Sequence, residues 1–368
     1  YFDVTGGTGT AMDITQGVID PSALRGRWQQ LKSERKVRAR DAARELGVSE
    51  GQLIASLCSE AAVRLDAKCP EIIAALEHGG RTMALTRNEA CVHERVGVYE
   101  DVSKTGHVGL VVGPDIDLRI FYSHWTAAFA VDESHDGGPG RSLQFFDRHG
   151  EAVHKIFMRD DTARMTWERV VADFRAADQS GLLEIDPSRK APEVPKPDDQ
   201  IDVAGFREAW AGLQDTHDFF GLLKRYGVAR TQALRIAERR FAYAVPVDAP
   251  TRMLQAAAER DVPIMVFVGN PGCIQIHTGP VKNVKPMGPW INVMDPEFNL
   301  HLRQDMVAEA WIVKKPTVDG MVTSLETFDA HGELIAQFFG ARKPGIPEKP
   351  EWRDLVDTVM PDMTGTRQ

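Results

Sequence analysis

The chain has 368 residues, 43% hydrophobic and 26% charged, which is enough apolar content to bury a sizeable core and too much to read as disordered. Its formal net charge of −9 sets up a field that repels phosphate backbones, which argues against nucleic acid as the main partner. The four cysteines, Cys58, Cys69, Cys91 and Cys273, contain no CxxC pair, so they fit a reducing compartment and offer no thiolate zinc site.

Residues 1–17, "YFDVTGGTGTAMDITQG", carry little periodicity, and 1–21 read as a flexible arm or leftover expression sequence. The N-terminal repeat (22–185) opens on helical signals, "PSALRGRWQQLKSERKVRARDAARELG" and then "EIIAALEHGG". Apolar runs such as "HVGLVVG" and "DLRIFYSHWTAAFAV" follow, separated by Gly, Pro and Asp turns as strands are. "DPSRKAPEVPKPDDQ" (186–200) holds four prolines and reads as an extended linker. The C-terminal repeat (201–357) begins with "DVAGFREAWAGLQDTHDFFGLLKRYG", capped by Asp202, and continues through the helical "TRMLQAAAERD". The apolar runs "PIMVFVG", "EAWIVKK" and "ELIAQFFG" come next, and 358–368 form a tail. Helices followed by strands joined through tight turns, as in "FDAHGELIAQFF", predict an α+β class with mostly antiparallel sheets. No run of roughly 18 apolar residues and no basic start with an apolar h-region is visible, so the chain is expected to be cytoplasmic and not membrane-inserted.

The halves are two copies of one design. An offset of 182 residues relates Asn88 to Asn270, Cys91 to Cys273, Gly97 to Gly279, Pro114 to Pro296 and "SLQFFDRHGE" to "SLETFDAHGE". Trp28 and Trp210 keep it, whereas Gly47 and Gly227 differ by 180, which places a two-residue gap between them.

Positions where the copies disagree are informative. At offset 182 His217 stands where the first half has Arg35, Lys315 where it has Glu133, and Arg119 and Phe121 where the second has His301 and Arg303. At offset 180 Arg230 stands against Glu50. Helical counting puts Trp210, Leu213, Phe220 and Gly221 on the face of His217, with Asp215 and Asp218 elsewhere. A neutral imidazole suits iron, copper or zinc, apolar neighbours suit a flat ligand, and Arg230 and Lys315 suit its carboxylates. Period-2 alternation places Arg119 and Phe121 on one strand face. Such a set is compatible with haem. It is equally compatible with a core histidine, a solvated arginine run and a strand-edge ion pair between Arg119 and Asp117. His93, His124, His277 and His301 lack any HExxH-like spacing.

The segments "LTRNEACVHERVGVYEDVSKTGHVGLVVG", "DLRIFYSHW", "DTHDFFGLLKRYGVARTQALRI", "VTSLETFDAHGELIAQFFGAR" and "KKPT" resemble the cytoplasmic haemin-degrading and haemin-transport factors of bacterial haem-uptake systems, the HemS/ChuS/PhuS-like proteins. The resemblance runs from about residue 22 to 357. It implies two tandem structural repeats, each a large antiparallel sheet with packed helices, with one haem in a cleft between them. It also implies His217 as proximal iron ligand and Arg119 and Phe121 as distal residues. Arg230, Lys315, Gln337 and Arg342 would lie near the propionates or pocket edge. Where relatives often have tyrosine, this chain has Phe339, which removes a hydroxyl from that network. The implied function is a haem-binding protein that accepts imported haem and passes it on for iron release, with an importer ATPase or permease and a downstream haem oxygenase as partners. The alternative is a haem-degrading oxygenase using O2 and external electrons, in which Arg119 acts on the distal side. The glycines of "GGTGTAM" open no βαβ unit, so no flavin or nicotinamide fingerprint is present.

Overall fold

The computed structural model describes residues 20–133, 140–188, 194–342 and 345–359. The expected arm up to residue 19, linker residues 189–193 and the tail from residue 360 lie outside the described residues.

In the first half, helices α1 (Pro21–Glu34), α2 (Ala39–Leu46) and α3 (Glu50–Ala55) precede strand β1 (Ala62–Leu65) and helix α4 (Cys69–Ala74). Strands β2 (Thr82–Arg87), β3 (Cys91–Gly97), β4 (Val102–Thr105) and β5 (Val108–Val112) follow. Then come β6 (Asp117–Phe121), β7 (Ala127–Asp132), β8 (Arg141–Phe146), β9 (Ala152–Met158) and helix α5 (Asp161–Phe174). The second half repeats that order with α6 (Val203–Ala211), α7 (Asp218–Tyr226), α8 (Arg230–Ile236), β10 (Ala242–Val245) and α9 (Ala249–Glu259). Its strands are β11 (Ile264–Asn270), β12 (Cys273–Gly279), β13 (Val284–Met287), β14 (Trp290–Met294) and β15 (Phe298–Arg303). Strands β16 (Glu309–Thr317), β17 (Gly320–Phe328), β18 (Leu334–Gly340) and helix α10 (Pro350–Val359) complete it. The repeat in residue identities is thus a repeat in elements, and the α+β class holds.

Local chemistry sets the element ends. Asp20, Asp160 and Asp202 each accept a hydrogen bond from a backbone N–H in the first turn of the helix that follows, at 2.7–3.0 Å. Ser49 and Gln52 close a capping box on α3. Gly47 and Gly227, the pair at offset 180, end α2 and α7 in the left-handed conformation with φ of 70° and 63°, which explains why both copies carry glycine there.

All strand ladders are antiparallel, in two nine-stranded sheets. The first runs β1-β7-β8-β9-β2-β3-β15-β14-β13 and the second β10-β16-β17-β18-β11-β12-β6-β5-β4. Each half therefore lends three strands to the other's sheet, joined through the β3–β15 and β12–β6 ladders. A reciprocal clasp ties the two junctions. Asn88 Nδ2 donates to the carbonyls of Gly269 and Ile335 at 3.1 and 2.8 Å. Asn270 Nδ2 donates to those of Arg87 and Val153, both at 2.9 Å.

The exchanged strands complete two cores between the sheets. Val266, Ile312 and Phe338 pack with Ile291 and Leu300 in one, and Ala84, Phe145 and Ile156 pack with Val111 and Leu118 in the other. Each fully buried large side chain stabilises the fold by roughly 1.5–3 kcal/mol relative to exposure. Two further cores seat the helices: Trp28 and Leu53 against Phe129 and Phe146, and Trp210 and Phe219 against Val313 and Phe328. Among the described residues, no helix is long and apolar enough to cross a membrane.

Candidate functional site

Opposed residues in an antiparallel ladder project to the same face. Across the second sheet, Arg119 opposes Ile274, Ile274 opposes Gly269, and two residues along β11 Phe267 opposes Gln337. Gln337 opposes Glu326, Phe339 opposes Ser324, and Lys315 opposes Val322. Alternation along β6 adds Phe121. Arg119, Phe121, Lys315, Gln337 and Phe339, from three strands drawn from both halves, therefore share one sheet face. Most of this face is half-buried, with Phe267 and Phe339 in edge contact at 5.0 Å. The opposite face, with Leu118, Ile120, Val266 and Phe338, is fully buried. The Arg119 guanidinium pairs with the Asp117 carboxylate two residues back, whose pKa burial pushes up.

A buried carboxylate organises the far end of this face. Glu326 is 0% exposed and accepts two hydrogen bonds from Arg230, from Nε and Nη2, each at 2.9 Å. Glu326 Oε1 also accepts from Lys315 Nζ at 3.1 Å, from Gln337 Nε2 at 2.9 Å and from Ser324 Oγ at 3.2 Å. Burial alone would raise the Glu326 pKa, but the charges of Arg230 and then Lys315 overcome it and bring it down to about 2. Burial lowers the Lys315 pKa. The cluster keeps one net positive charge, so the two cations are shared with Glu326 and are not both free for an outside anion. Lys315 and Arg230 also lie over the Phe219 ring, at 4.5 and 5.4 Å from its centroid. Phe219 thereby docks α7 on the sheet.

His217 stands just ahead of that helix. The expected continuous helical stripe is corrected here: α6 stops at Ala211, Gly212 is its C-cap, and α7 starts only at Asp218. Trp210 and Leu213 are buried while Phe220 is exposed, so they form no common face with His217. Asp215 does not point elsewhere. Its Oδ1 accepts from the His217 backbone N–H at 2.9 Å and lies 2.6 Å from the imidazole Nδ1. The backbone bond first, then the imidazole, hold the Asp215 carboxyl below its ordinary pKa. A neutral imidazole donating from Nδ1 to Asp215 would leave the Nε2 lone pair free, and the side chain is 90% exposed. Gly221 faces open space, with no atom within 4 Å of where a Cβ would sit. The Phe220 ring carries the Lys224 ammonium at 4.6 Å.

A cleft of about 1000 Å3 lies where the halves meet, lined by Phe267, Ile274 and Gln337 of the second half and by Arg40, Arg87 and His149 of the first. It is large enough for a drug-sized or larger organic ligand. Gln337 is thus common to the cleft and the sheet-face cluster. Arg342 lies beyond the end of β18, with Nη1 3.4 Å from the Ile346 carbonyl, and joins neither. Sequence reasoning missed Glu326 and the role of Asp215. The repeat carried a signal for the first, since Gln144 occupies the Glu326 position at offset 182.

The fold and this face define a duplicated α+β ligand-binding protein with exchanged strands. Residues 47–174 and 227–359 each match the family described as the haemin-degrading HemS.ChuX domain, and the chain belongs to that family. It is 42% identical over 322 residues to the hemin transport protein HemS of Yersinia enterocolitica, covering 86% of this chain and 91% of that one. Holo-PhuS, a heme-binding protein from Pseudomonas aeruginosa, superposes with a TM-score of 0.89 at 50% identity, over 92% of this chain and 99% of that one. ChuS, described as an Escherichia coli heme oxygenase, superposes at 0.81 with 36% identity, over 92% and 99% of the two chains.

Proposed function

We infer that the chain binds haem as cargo through His217 Nε2 and passes it on for iron release in the cytoplasm of a haem-importing bacterium. The observation that carries this reading is the exposed imidazole of His217 with Nδ1 held by Asp215, the carboxylate–histidine arrangement that orients a metal-ligating nitrogen and raises its basicity. The names of HemS and PhuS support the ligand. Phe121, Phe267 and Phe339 would meet the ring, and Arg119 would face the iron side opposite His217. The cluster around Glu326 offers one net positive charge toward a propionate. A single protein ligand keeps release possible, so an importer and a haem oxygenase are the partners this role calls for.

A second reading is favoured by the likeness to ChuS: ring opening by O2 and external electrons with haem as substrate. Haem-loaded protein incubated aerobically with an electron donor and catalase separates the two. The carrier reading expects an intact chromophore that moves to a separate haem oxygenase. Specific ring-opened products with release of CO would overturn it in favour of the enzyme.

A further inference from the structure

The core around Phe145 and Ile156 also buries a chain of polar side chains: Tyr99, His154 and Thr86. Tyr99 OH lies 2.8 Å from His154 Nε2, and Thr86 Oγ1 lies 2.8 Å from His154 Nδ1. Thr86 Oγ1 donates onward to Cys273 Sγ at 3.6 Å, which turns its lone pairs toward the imidazole. In the tautomer with its proton on Nδ1, His154 accepts the Tyr99 O–H at Nε2. Burial keeps the Tyr99 phenol protonated and His154 neutral, with its pKa held down to about 3. The buried Trp125 ring lies beside His154, centroids 5.9 Å apart. Its chain neighbours His124 and Thr126 line the cleft between the halves, so the indole stands directly behind the cleft wall. Trp125 Nε1 donates to the Gly272 carbonyl at 2.8 Å, next to the cleft-lining Asn270 and Pro271.

The fold does not require this chain. At offset 182, Tyr99, His154, Thr86 and Trp125 stand against Val281, Ala336, Val268 and Val307, all four buried in an apolar core. One copy packs hydrocarbon where the other buries a phenol, an imidazole and a hydroxyl, groups that are costly out of water unless hydrogen-bonded. The exchange brings together the two most readily oxidised aromatic side chains and a base for the phenol's proton. We propose that Trp125, His154 and Tyr99 form a one-electron relay that moves an oxidising equivalent from the cleft to Tyr99. A strong one-electron oxidant in the cleft, of the metal-complex class, takes an electron from the Trp125 indole. Tyr99 refills Trp125, and as it does so its O–H bond breaks and the proton passes to His154 Nε2. The oxidant gains one electron and Tyr99 loses one, becoming a neutral phenoxyl radical beside an imidazolium. A phenol that has lost an electron is a far stronger acid than this imidazolium, so the proton transfer runs downhill. None of the residues proposed to touch haem takes part.

The probe is a ruthenium(II) polypyridyl photo-oxidant attached through Ser123→Cys, at an exposed cleft-lining position. The four native cysteines are buried, which confines the label to that site. Flash oxidation of the label in the full, haem-free chain is expected to yield a neutral tyrosyl radical in EPR and transient absorption, formed more slowly in heavy water. Tyr99→Phe, which removes only the hydroxyl, is expected to abolish that signal, and Trp125→Phe to slow its formation. Tyr122→Phe is expected to leave it in place, although Tyr122 packs edge-on against Trp125 at 5.6 Å. Trp125→Phe decides the matter if Tyr99→Phe fails to fold. The absence of a tyrosyl radical in the labelled parent would overturn the proposal. So would a signal that survives in Tyr99→Phe, one that is lost in Tyr122→Phe, or a rate left unchanged by Trp125→Phe or by heavy water.

Discussion

Arg230 holds Glu326 with a two-bond fork in which Nε and Nη2 each sit 2.9 Å from a carboxylate oxygen. Because the carboxylate is 0% exposed, its removal leaves two cations without their counter-charge, one of them the buried Lys315. Glu326→Gln is therefore expected to cost about 3 kcal/mol of stability at pH 7, read from urea unfolding. Since the folded pKa is depressed, the stabilisation persists above pH 4.5 and is lost only as pH falls toward about 2. A parent-like unfolding midpoint in Glu326→Gln at pH 7 would contradict the assignment.

The Asp215 carboxylate acts on His217 and touches nothing else in the proposed haem contact set. Asp215→Asn should keep the imidazole and weaken its orientation, reducing haemin affinity about 10- to 100-fold, the range for a carboxylate behind a metal-bound histidine. Haemin titration at fixed pH measures it. Equal affinity in the two proteins would remove Asp215 from the site.

The asparagine clasp makes a prediction about the exchanged sheets. Asn270→Ala strands the carbonyls of Arg87 and Val153 and the N–H groups of Gly272 and Cys273, which bond Asn270 Oδ1 at 3.0 and 3.1 Å. The expected cost is about 2–3 kcal/mol in chemical unfolding, with a similar cost for Asn88→Ala. A change below about 0.5 kcal/mol, as at an ordinary surface site, would show that the clasp does not join the halves.

Acid should weaken the fold well before its carboxylates titrate. Burial holds the His154 pKa down to about 3 and that of His277 down to about 4, so both are neutral in the folded chain. His154 lies between Thr86 Oγ1 and Tyr99 OH, each at 2.8 Å, and His277 stacks on Phe298 with ring centroids 3.7 Å apart. Below pH 6.5 the unfolded chain binds these protons and the folded one does not. Stability is thus expected to fall by about 1.4 kcal/mol per pH unit per histidine between pH 6.5 and 4. His277→Phe should shallow that slope by one histidine's share. A flat unfolding free energy from pH 7 to 5 would contradict the burial of both.

The duplication and the α+β class were legible because they rest on local signals: identical residues at a fixed offset, caps, and turn residues between apolar runs. The strand exchange was not, because nothing within "DLRIF" or "CIQIHTG" records that β6, paired on one edge with β5 of its own half, pairs on the other edge with β12 of the second half. His217 was legible as an asymmetry between copies, yet periodicity carried the helix through Gly212, where the backbone ends it. Arg119, Phe121, Lys315, Gln337 and Phe339 came from different segments and share one face only through ladder register. Glu326 escaped notice although Gln144 in the other copy marked it, because an acid between apolar residues offers no metal-binding or cationic pattern to catch attention.

The central claim is that His217 Nε2 is the iron ligand, and haemin titration of the parent chain and His217→Ala, followed in the Soret region, tests it most directly. The account predicts a bound-haem spectrum for the parent and a shifted spectrum for the variant, with affinity lowered about ten-fold or more. The same Soret maximum and the same affinity in both proteins would contradict it.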